Sequence, residues 1–182
     1  LETPEQVAQF IAQVGHESGS FVRLVESLDY KPDALKRTWP SRYTDWLAAQ
    51  HGRSLAKPAD QRAIANHVYG GRLGNTGPDD GWNYRGRGLI QVTGRENYRK
   101  CGEALNLDLV ARPELLDLRD VAASSAAWFW RSRGLAALGA DVEAVTRVIN
   151  GGANGLDDRR KRFSLAISAL GGGLRKVGEV AP

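Results

Sequence analysis

The sequence predicts a mainly α-helical fold with one small β-insert, and two observations carry this prediction. Apolar residues recur at helical spacing through most of the chain, whereas glycine, 21 of 182 residues, is concentrated in three short stretches. The chain is 42% apolar and 25% charged, which is ordinary for a globular protein long enough to bury one core. We therefore expect a single domain whose Gly-rich loops form the working surface.

The first predicted helix covers residues 4 to 18. Thr3 is placed to cap its N-terminus, Pro4 suits the first helical position, and Gly19 is expected to end it. One face of this helix is apolar, because apolar residues recur at i, i+3, i+4 and i+7, namely Val7, Phe10, Ile11 and Val14.

The later elements follow from the same signals. Residues 58 to 69 predict a second helix, and the Gly-rich residues 68 to 94 predict short strands and turns, which form the β-insert. Beyond them the pattern predicts helices over 94 to 106, 119 to 133, 141 to 149 and 157 to 170, which end at Asn106, Gly134, Gly151 and Gly171. We expect one domain over residues 1 to 171 and a frayed tail over 172 to 182.

Composition limits the surroundings and partners of the chain. Cys101 is the only cysteine, so no internal disulfide forms, and its helical context predicts a core residue rather than a nucleophile. No apolar run approaches the ~20 residues that cross a bilayer, so we expect no integral membrane association. A net charge of +4 suits an anionic partner, or it reflects only a mildly basic surface. Since the sequence opens at Leu1 and contains no Met, we expect a trimmed start, and no signal peptide is visible.

The sequence lacks the motifs of three function classes. "HESGS" lacks the second histidine of the zinc motif His-Glu-x-x-His, and the three histidines show no ligand spacing, so no metal is expected. "GRGLIQ" lacks the third glycine of a dinucleotide fingerprint and "GNTGPDDG" lacks the Lys-Ser/Thr of a phosphate loop, so no cofactor is expected. Acidic residues are interspersed with the basic ones, which argues against nucleic acid as a partner.

Glu17 is the first candidate for acid–base chemistry. It lies three residues after Val14, on the apolar stripe, and in the last turn of the predicted helix, where backbone carbonyls carry partial negative charge. Both surroundings disfavour the ionised carboxylate, as a general acid requires. The alternative is a glutamate that points to solvent or pairs with Arg23.

Glu26 is the second candidate, nine residues after Glu17. On one continuous helix that spacing is a rotation of about 900°, which would place the two side chains on opposite faces. Gly19 and Ser20 break the helix, so Glu26 is free to lie across a cleft from Glu17 and to act as a base. Paired carboxylates flanking a bond are the equipment of glycoside hydrolysis, but sequence spacing does not choose between inversion and retention.

Three motifs in order, with "WFW" between the last two, extend this interpretation: "GHESGSF", "NYRGRGLIQVTGRENY" and "VINGGANGLDDRRKRF". With these motifs the chain resembles the chitinase-like family 19 glycoside hydrolases, in particular the short phage endolysins, over residues 5 to 167. The resemblance implies a lysozyme-like α+β fold, in which a helical domain carries a small β-hairpin or β-insert beside the active-site cleft.

The resemblance also implies roles for individual residues. Glu17 matches the general acid and Glu26 the general base that activates water in an inverting mechanism. Thr93 matches a catalytic hydroxyl that positions the water. The residues that match substrate-binding and supporting positions are Gln91, Asn97, Asn150 and Arg159. In the plant enzymes an acidic residue follows the "INGG" stretch where this chain has Asn154.

Several of these residues also have purely structural interpretations. Thr93 and Glu96 fit a Thr-x-x-Glu capping box at the start of the next helix. Gln91 and Thr93 share one face if residues 89 to 93 are extended. Asn150 precedes two glycines, where Asn commonly ends a helix. The "RRKR" run that begins at Arg159 fits a solvated helix face.

The aromatic residues give a further expectation about the substrate. Trp82 and Tyr84 lie in the Gly-rich stretch beside the motifs, where a flat ring suits the apolar face of a sugar. Trp128 and Trp130 lie about 200° apart on a helix and are expected in the core or at its margin.

The expected function is therefore inverting hydrolysis of β-1,4 glycosidic bonds in bacterial peptidoglycan. Peptidoglycan is favoured over chitin because the chain is positively charged and lacks the cysteine framework of plant chitinases. The alternatives are a chitinase and a noncatalytic carbohydrate-binding relic, against which the retention of both glutamates argues. We expect a monomer that is made in the cytoplasm of a bacterial host and acts on the cell wall.

Overall fold

The computed structural model describes the backbone of residues 1–175 and the side chains to residue 171. Within this range the chain is mainly helical, and two 3-10 turns, Pro113–Asp117 and Leu135–Leu138, flank the longer helix α7. The α-helices are α1 Pro4–Glu17, α2 Pro32–Thr38, α3 Asp45–His51, α4 Gln61–Tyr69, α5 Asp80–Asn83, α6 Arg95–Leu105, α7 Arg119–Ser132, α8 Val142–Asn150 and α9 Leu156–Arg175.

Side chains cap the starts of α1, as predicted, and of α8. The Thr3 side chain accepts from the Gln6 amide at the start of α1, and Asp141 caps α8 in the same way through the Ala144 amide. The predicted end of α9 at Gly171 is wrong, because the helix continues to Arg175. Residues 176–182 of the predicted tail lie outside the described residues. The short helices α2, α3 and α5 were not predicted, since seven residues or fewer give too few repeats of an apolar stripe.

The predicted β-insert is a minimal one. Arg87 pairs with Val25 on one side and with Val92 on the other, through single antiparallel bridges. The Arg87–Val92 hairpin is closed by two backbone hydrogen bonds of 3.1 and 2.8 Å. Its loop turns through Gly88 and Gln91, which both have positive φ, so the extended conformation that would place Gln91 and Thr93 on one face is not present over residues 89 to 93.

Among the side chains that the structure describes, the core forms three apolar clusters, and α1 contributes to two of them. Val14 packs in the largest cluster with Tyr98 and Cys101, and Phe10 borders both this cluster and the one around Trp130. A further cluster between α2, α3 and α4 contains Leu35 and Ile64 among its fully buried residues. Helix α1 packs along α9, which places the end of α1 beside the start of α9.

Cys101 is a core residue, as predicted. It is completely buried in the largest cluster, and this burial raises the pKa of its thiol to about 12. Almost none of the thiol is therefore ionised near neutral pH, and Cys101 is inert as a nucleophile.

Two structural findings concern membranes and metals. None of the helices within residues 1–175 combines the length and apolar character needed to cross a bilayer. In the same part of the chain, no three His, Cys, Asp or Glu side chains come together in a way that could hold a metal ion.

Candidate active site

Glu17 ends α1 in contact with a buried arginine. The Arg159 guanidinium, 2% exposed, donates through Nη2 to Glu17 Oε1 at 2.5 Å, while the Glu17 side chain remains 21% exposed. Neither structural alternative holds, because Glu17 neither points freely to solvent nor pairs with Arg23. The contact also differs from the expected apolar surroundings, since a guanidinium favours the ionised carboxylate.

Arg159 is held on three sides. Its Nη1 donates to Gln13 Oε1 at 2.5 Å, and its Nε donates to the backbone carbonyl of Asn154 at 3.2 Å. Together with Glu17, these acceptors use the whole planar fork of the guanidinium, which fixes its orientation. The interpretation of Arg159 as part of a solvated face is therefore wrong.

The neighbouring helix start is built around His16. His16 Nδ1 lies 2.7 Å from Asp158 Oδ2, and Arg162 donates to the same oxygen at 2.6 Å. Gly155 packs against the His16 ring with a φ of +72°, and a Cβ at this position would overlap the ring. Only glycine therefore lets the start of α9 approach the end of α1 so closely.

Glu26 lies in different surroundings. Its Oε1 accepts from the Gly86 amide at 2.6 Å, and its Oε2 accepts from the Tyr69 hydroxyl at 2.9 Å. Burial, followed by the charge of Glu26, raises the pKa of Tyr69 far above its usual range, so the hydroxyl stays a donor. Two such donors stabilise a carboxylate, the form that a general base requires.

The turn between the two glutamates places them on separate elements. Gly19, Ser20 and Phe21 have φ values of +58°, +65° and +65°, an unusual run because two of them carry side chains. After this turn the chain pairs through Val25 with the Arg87 hairpin. Glu17 thus belongs to the α1–α9 contact, and Glu26 belongs to the β-insert.

A cavity of about 360 Å³ lies beside the hairpin. Three residues that the family motif singled out, Gln91, Thr93 and Asn97, line it together. Thr93 Oγ1 donates to the Gln91 carbonyl at 2.9 Å, and Asn97 Nδ2 donates to the Thr93 carbonyl at 2.7 Å. The capping box predicted for Thr93 is wrong, because α6 begins after Gly94 with no side-chain cap.

Aromatic and basic residues also line the cavity. Its lining contains Trp128, Phe129 and Ser132 from α7, together with Lys100 from α6 and Arg133 at the end of α7. The Arg133 guanidinium lies over the Phe129 ring, 5.5 Å from its centroid. The cavity therefore offers amides, a hydroxyl, an indole and two cations to a ligand.

Gly86 links the cavity to Glu26. A Cβ on Gly86 would lie 2.8 Å from Gln91 Oε1 and 3.3 Å from the Glu26 carboxyl carbon. Gln91, at the cavity wall, and Glu26 are thus neighbours across a single glycine.

Comparison with known proteins places the chain in a family. A sequence model described as chitinase class I, for glycoside hydrolase family 19, matches residues 59–164. A family 19 domain-containing protein of Haemophilus influenzae is 43% identical over 160 residues, which are 87% of this chain and 76% of that protein.

The chain belongs to glycoside hydrolase family 19.

Other members of family 19 support this assignment. The basic endochitinase CHB4 of Brassica napus is 40% identical over 72 residues, which are 39% of this chain and 27% of that protein. Chitinase C of Streptomyces griseus covers 92% of this chain and 73% of its own with a TM-score of 0.59 at 22% identity. The latter likeness concerns the fold, and it confirms the predicted mainly helical architecture.

Asn150 lies where family 19 motifs place an asparagine at the end of a helix. It is the last residue of α8, and Gly151 follows in the left-handed conformation. Its Oδ1 accepts from the Gly152 amide and its Nδ2 donates to the Asn154 carbonyl, at 2.9 and 3.1 Å. Since that carbonyl also accepts from Arg159, Asn150 braces the loop that holds the arginine.

The structure corrects the aromatic expectations for this family 19 site. Tyr84 is 6% exposed, packs in the core and donates its hydroxyl to the Val110 carbonyl, so no ring face is open to a sugar. Trp82 is half-buried, and the Arg85 guanidinium covers one face of its ring at 3.7 Å. Trp130 is buried, as expected, and Trp128 at the core margin is the indole that lines the cavity.

Sequence reasoning missed three residues of the site: Gln13, Tyr69 and Trp128. Gln13 lies at a buried position of α1, where an amide among apolar neighbours is a signal that a polar partner is present. Tyr69 ends α4 and carries no motif of its own. The "WFW" motif pointed to Trp128 but not to the surface that it lines.

Proposed function

We propose that this glycoside hydrolase cleaves β-1,4 bonds of bacterial peptidoglycan with inversion of configuration. The observation that carries the proposal is that both motif glutamates are held in place on separate elements. Glu17 is held by the cation Arg159, and Glu26 is held by two neutral donors. The match to the family 19 motifs assigns the acid to Glu17 and the base to Glu26.

In the proposed mechanism Glu17 protonates the glycosidic oxygen, so the leaving sugar departs with a hydroxyl group. Glu26 takes a proton from a water molecule whose oxygen bonds to the anomeric carbon from the opposite face. Afterwards Glu26 holds the proton taken from the water and Glu17 is ionised, and proton exchange with solvent resets both. Gln91 and Thr93 orient the water and the sugar from the cavity wall beside Glu26.

The cavity supports peptidoglycan as the substrate. Chitin is neutral, whereas peptidoglycan carries carboxylates on its stem peptides and on any lactyl group that has lost its peptide. Lys100 and Arg133 line the cavity together with the motif residues, and cations there suit an anionic glycan. The net charge of +4 also attracts an anionic polymer, and it does so at longer range.

Chitin is the second candidate substrate, because relatives and structural neighbours are named chitinases. Both polymers contain β-1,4-linked N-acetylglucosamine, so the same acid and base would serve. We further propose a phage-type endolysin role: the protein acts as a monomer on the cell wall after synthesis in the cytoplasm of a bacterial host.

The deciding experiment compares purified peptidoglycan with chitin oligosaccharides. Mass analysis of the products identifies the bond that is cut, and proton NMR of the new reducing end follows its configuration. We expect soluble muropeptides with the α-anomer appearing first. The β-anomer appearing first would contradict the inverting mechanism, and glycan binding without products would indicate the noncatalytic relic.

Variants of the basic wall test the substrate preference. We expect Lys100→Gln with Arg133→Gln to lower the rate on peptidoglycan and to leave the rate on neutral chitin oligosaccharides unchanged. Lys161→Gln, outside the cavity lining, is the matched charge control. Equal losses on both substrates would contradict a role for these cations in recognising an anionic glycan.

A further inference from the structure

A row of polar side chains follows the buried face of α1. Gln9, Gln13 and Glu17 are spaced by four residues, so they lie on the same face at successive turns. Gln9 and Gln13 are completely buried. The proposed mechanism uses Glu17 but assigns nothing to the two glutamines.

The hydrogen bonds of Gln13 determine which way its amide faces. Its Nε2 lies 3.1 Å from Thr146 Oγ1 and 3.3 Å from the Val142 carbonyl. The carbonyl can only accept a hydrogen bond, and the Thr146 hydroxyl already donates to the same carbonyl. The amide nitrogen must therefore face α8, which turns Oε1 toward Arg159.

Gln13 consequently presents a neutral acceptor to the arginine of the candidate site. Arg159 Nη1 donates to Gln13 Oε1, and its Nη2 donates to Glu17 Oε1. Because the two nitrogens belong to one rigid plane, fixing the first also fixes the second. Glu17 is the one carboxylate within salt-bridge distance of Arg159 in the part of the chain that the structure describes.

We propose that Gln13 is a positioning residue, which locks the Arg159 guanidinium against Glu17 and, being uncharged, leaves Glu17 the whole of that positive charge. The inference rests on the proposed role of Glu17 as the acid. Other charged groups near this cluster are the His16–Asp158–Arg162 network at the start of α9 and Arg23 beside Gly19. None of these groups changes in the experiment below.

Gln13 acts both by being uncharged and by accepting from Arg159, and two substitutions separate these two properties. Gln13→Met keeps the length of the side chain but removes the acceptor, so Arg159 is released. Gln13→Glu keeps an acceptor for Arg159 but adds a second negative charge. Either change weakens the hold of Arg159 on the Glu17 carboxylate, and we expect the pH profile of the rate to respond.

The experiment measures kcat, KM and their pH profiles for both variants beside wild type. Gln13→Met should lower kcat by about 10-fold or more while KM stays within about twofold, since the lost function is aiming a catalytic group. Its alkaline limb should move upward by about half a pH unit or more. Gln13→Glu should recover much of kcat and show the same upward shift.

Gln9→Met is the matched control. Gln9 is equally buried one turn away. Its Nε2 donates to the Gly139 carbonyl, and its Oε1 accepts a 3.4 Å hydrogen bond from Gln13 Nε2, which Thr146 and Val142 also hold, so the loss of Gln9 leaves Gln13 Oε1 facing Arg159. We expect its unfolding midpoint to fall while its kcat and alkaline limb match wild type. If Gln9→Met and Gln13→Met lose kcat equally, or if the Gln13→Met limb does not move, the positioning role is overturned.

Two further comparisons separate a failure of this inference from a failure of the proposed function. Should Gln13→Met fail to fold, Gln13→Glu decides alone: a shifted alkaline limb supports the proposal, and a profile identical to wild type overturns it. An active, folded Glu17→Gln variant would instead overturn the proposed function. An inactive Glu17→Gln beside a fully active Gln13→Met would overturn only the present inference.

Discussion

Arg159 is the residue on which the geometry around Glu17 depends most. It reaches three acceptors in three directions from a nearly solvent-free position. A lysine could satisfy its charge but not this planar arrangement. The chemistry expected of the two glutamates therefore depends on a buried side chain that contributes no proton itself.

Glu17→Gln tests the acid directly. The amide still accepts from Arg159 but has no proton to give, so we expect the rate of wall lysis to fall by about 100-fold or more. Circular dichroism and thermal unfolding should show an intact fold. Glu143→Gln, on the exposed side of α8, is the control and should lyse walls at the wild-type rate. Near-normal lysis by folded Glu17→Gln would remove it from the mechanism.

Tyr69→Phe tests the support of the base. Removing the hydroxyl takes away one of the two donors that hold the Glu26 carboxylate in place. We expect kcat to fall by roughly 3- to 10-fold, the size of one lost positioning hydrogen bond. Tyr84→Phe, which loses a hydroxyl in the core, should change stability and leave kcat near the wild-type value.

The motif residues of the site were predicted from the sequence, but the residues that hold them in place by hydrogen bonds were not. Glu17, Glu26 and the cavity residues Gln91, Thr93 and Asn97 follow from short motifs. Gln13 and Tyr69 contact residues 146 and 43 positions away, and such pairs leave no trace in local spacing.

At the scale of elements, the contact between the end of α1 and the start of α9 organises the Glu17 half of the site. The long helices that make this contact were predictable, because each carries several repeats of its apolar face. The β-insert was harder to predict, since single bridges around Arg87 leave almost no alternating pattern. Likewise Tyr84 was misplaced because a Gly-rich stretch does not show which of its aromatic side chains enters the core.

Gly155→Ala tests this helix contact. Both Gly155 and Gly134 have positive φ, +72° and +62°, but only Gly155 lies against another side chain, that of His16. Gly134→Ala should cost about 1 kcal/mol of unfolding free energy for its backbone alone. Gly155→Ala should cost roughly 2 to 4 kcal/mol, because overlap with the ring is added, and should also slow lysis. Urea unfolding measures the difference, and equal costs would contradict the contact.

Asp158→Asn tests the same contact through pH. Arg162, and then His16, lower the pKa of Asp158 below its usual 3.8. A depressed folded-state pKa means that the carboxylate stabilises the fold above pH ~4 and that this contribution disappears as the pH falls through the lower value. We expect Asp158→Asn to unfold at a lower temperature at pH 7 and to converge with wild type once the pH falls below the lowered pKa. The exposed Asp157→Asn should show a smaller gap at neutral pH.

For the whole molecule, the excess of 25 basic over 21 acidic side chains is the property that bears on an anionic wall. Exposed charges are screened over about 10 Å at 0.1 M salt. We expect the lytic rate on whole walls to fall steadily as salt rises, while the rate on short neutral chitin oligosaccharides changes little. If the lytic rate does not depend on salt, the net positive charge has no role in binding the wall.

The single cysteine offers a practical use of the fold. Cys101 lies within the core with its thiol un-ionised, so maleimides and nitroxide reagents have no native target on the folded protein. A cysteine introduced at Val22, or at Ser132 on the rim of the cavity, would be the only residue to react. The parent chain can therefore carry spin labels or fluorophores at chosen points without first being made cysteine-free. Labels at both positions would report whether the distance between Val22 and Ser132 changes when a glycan binds.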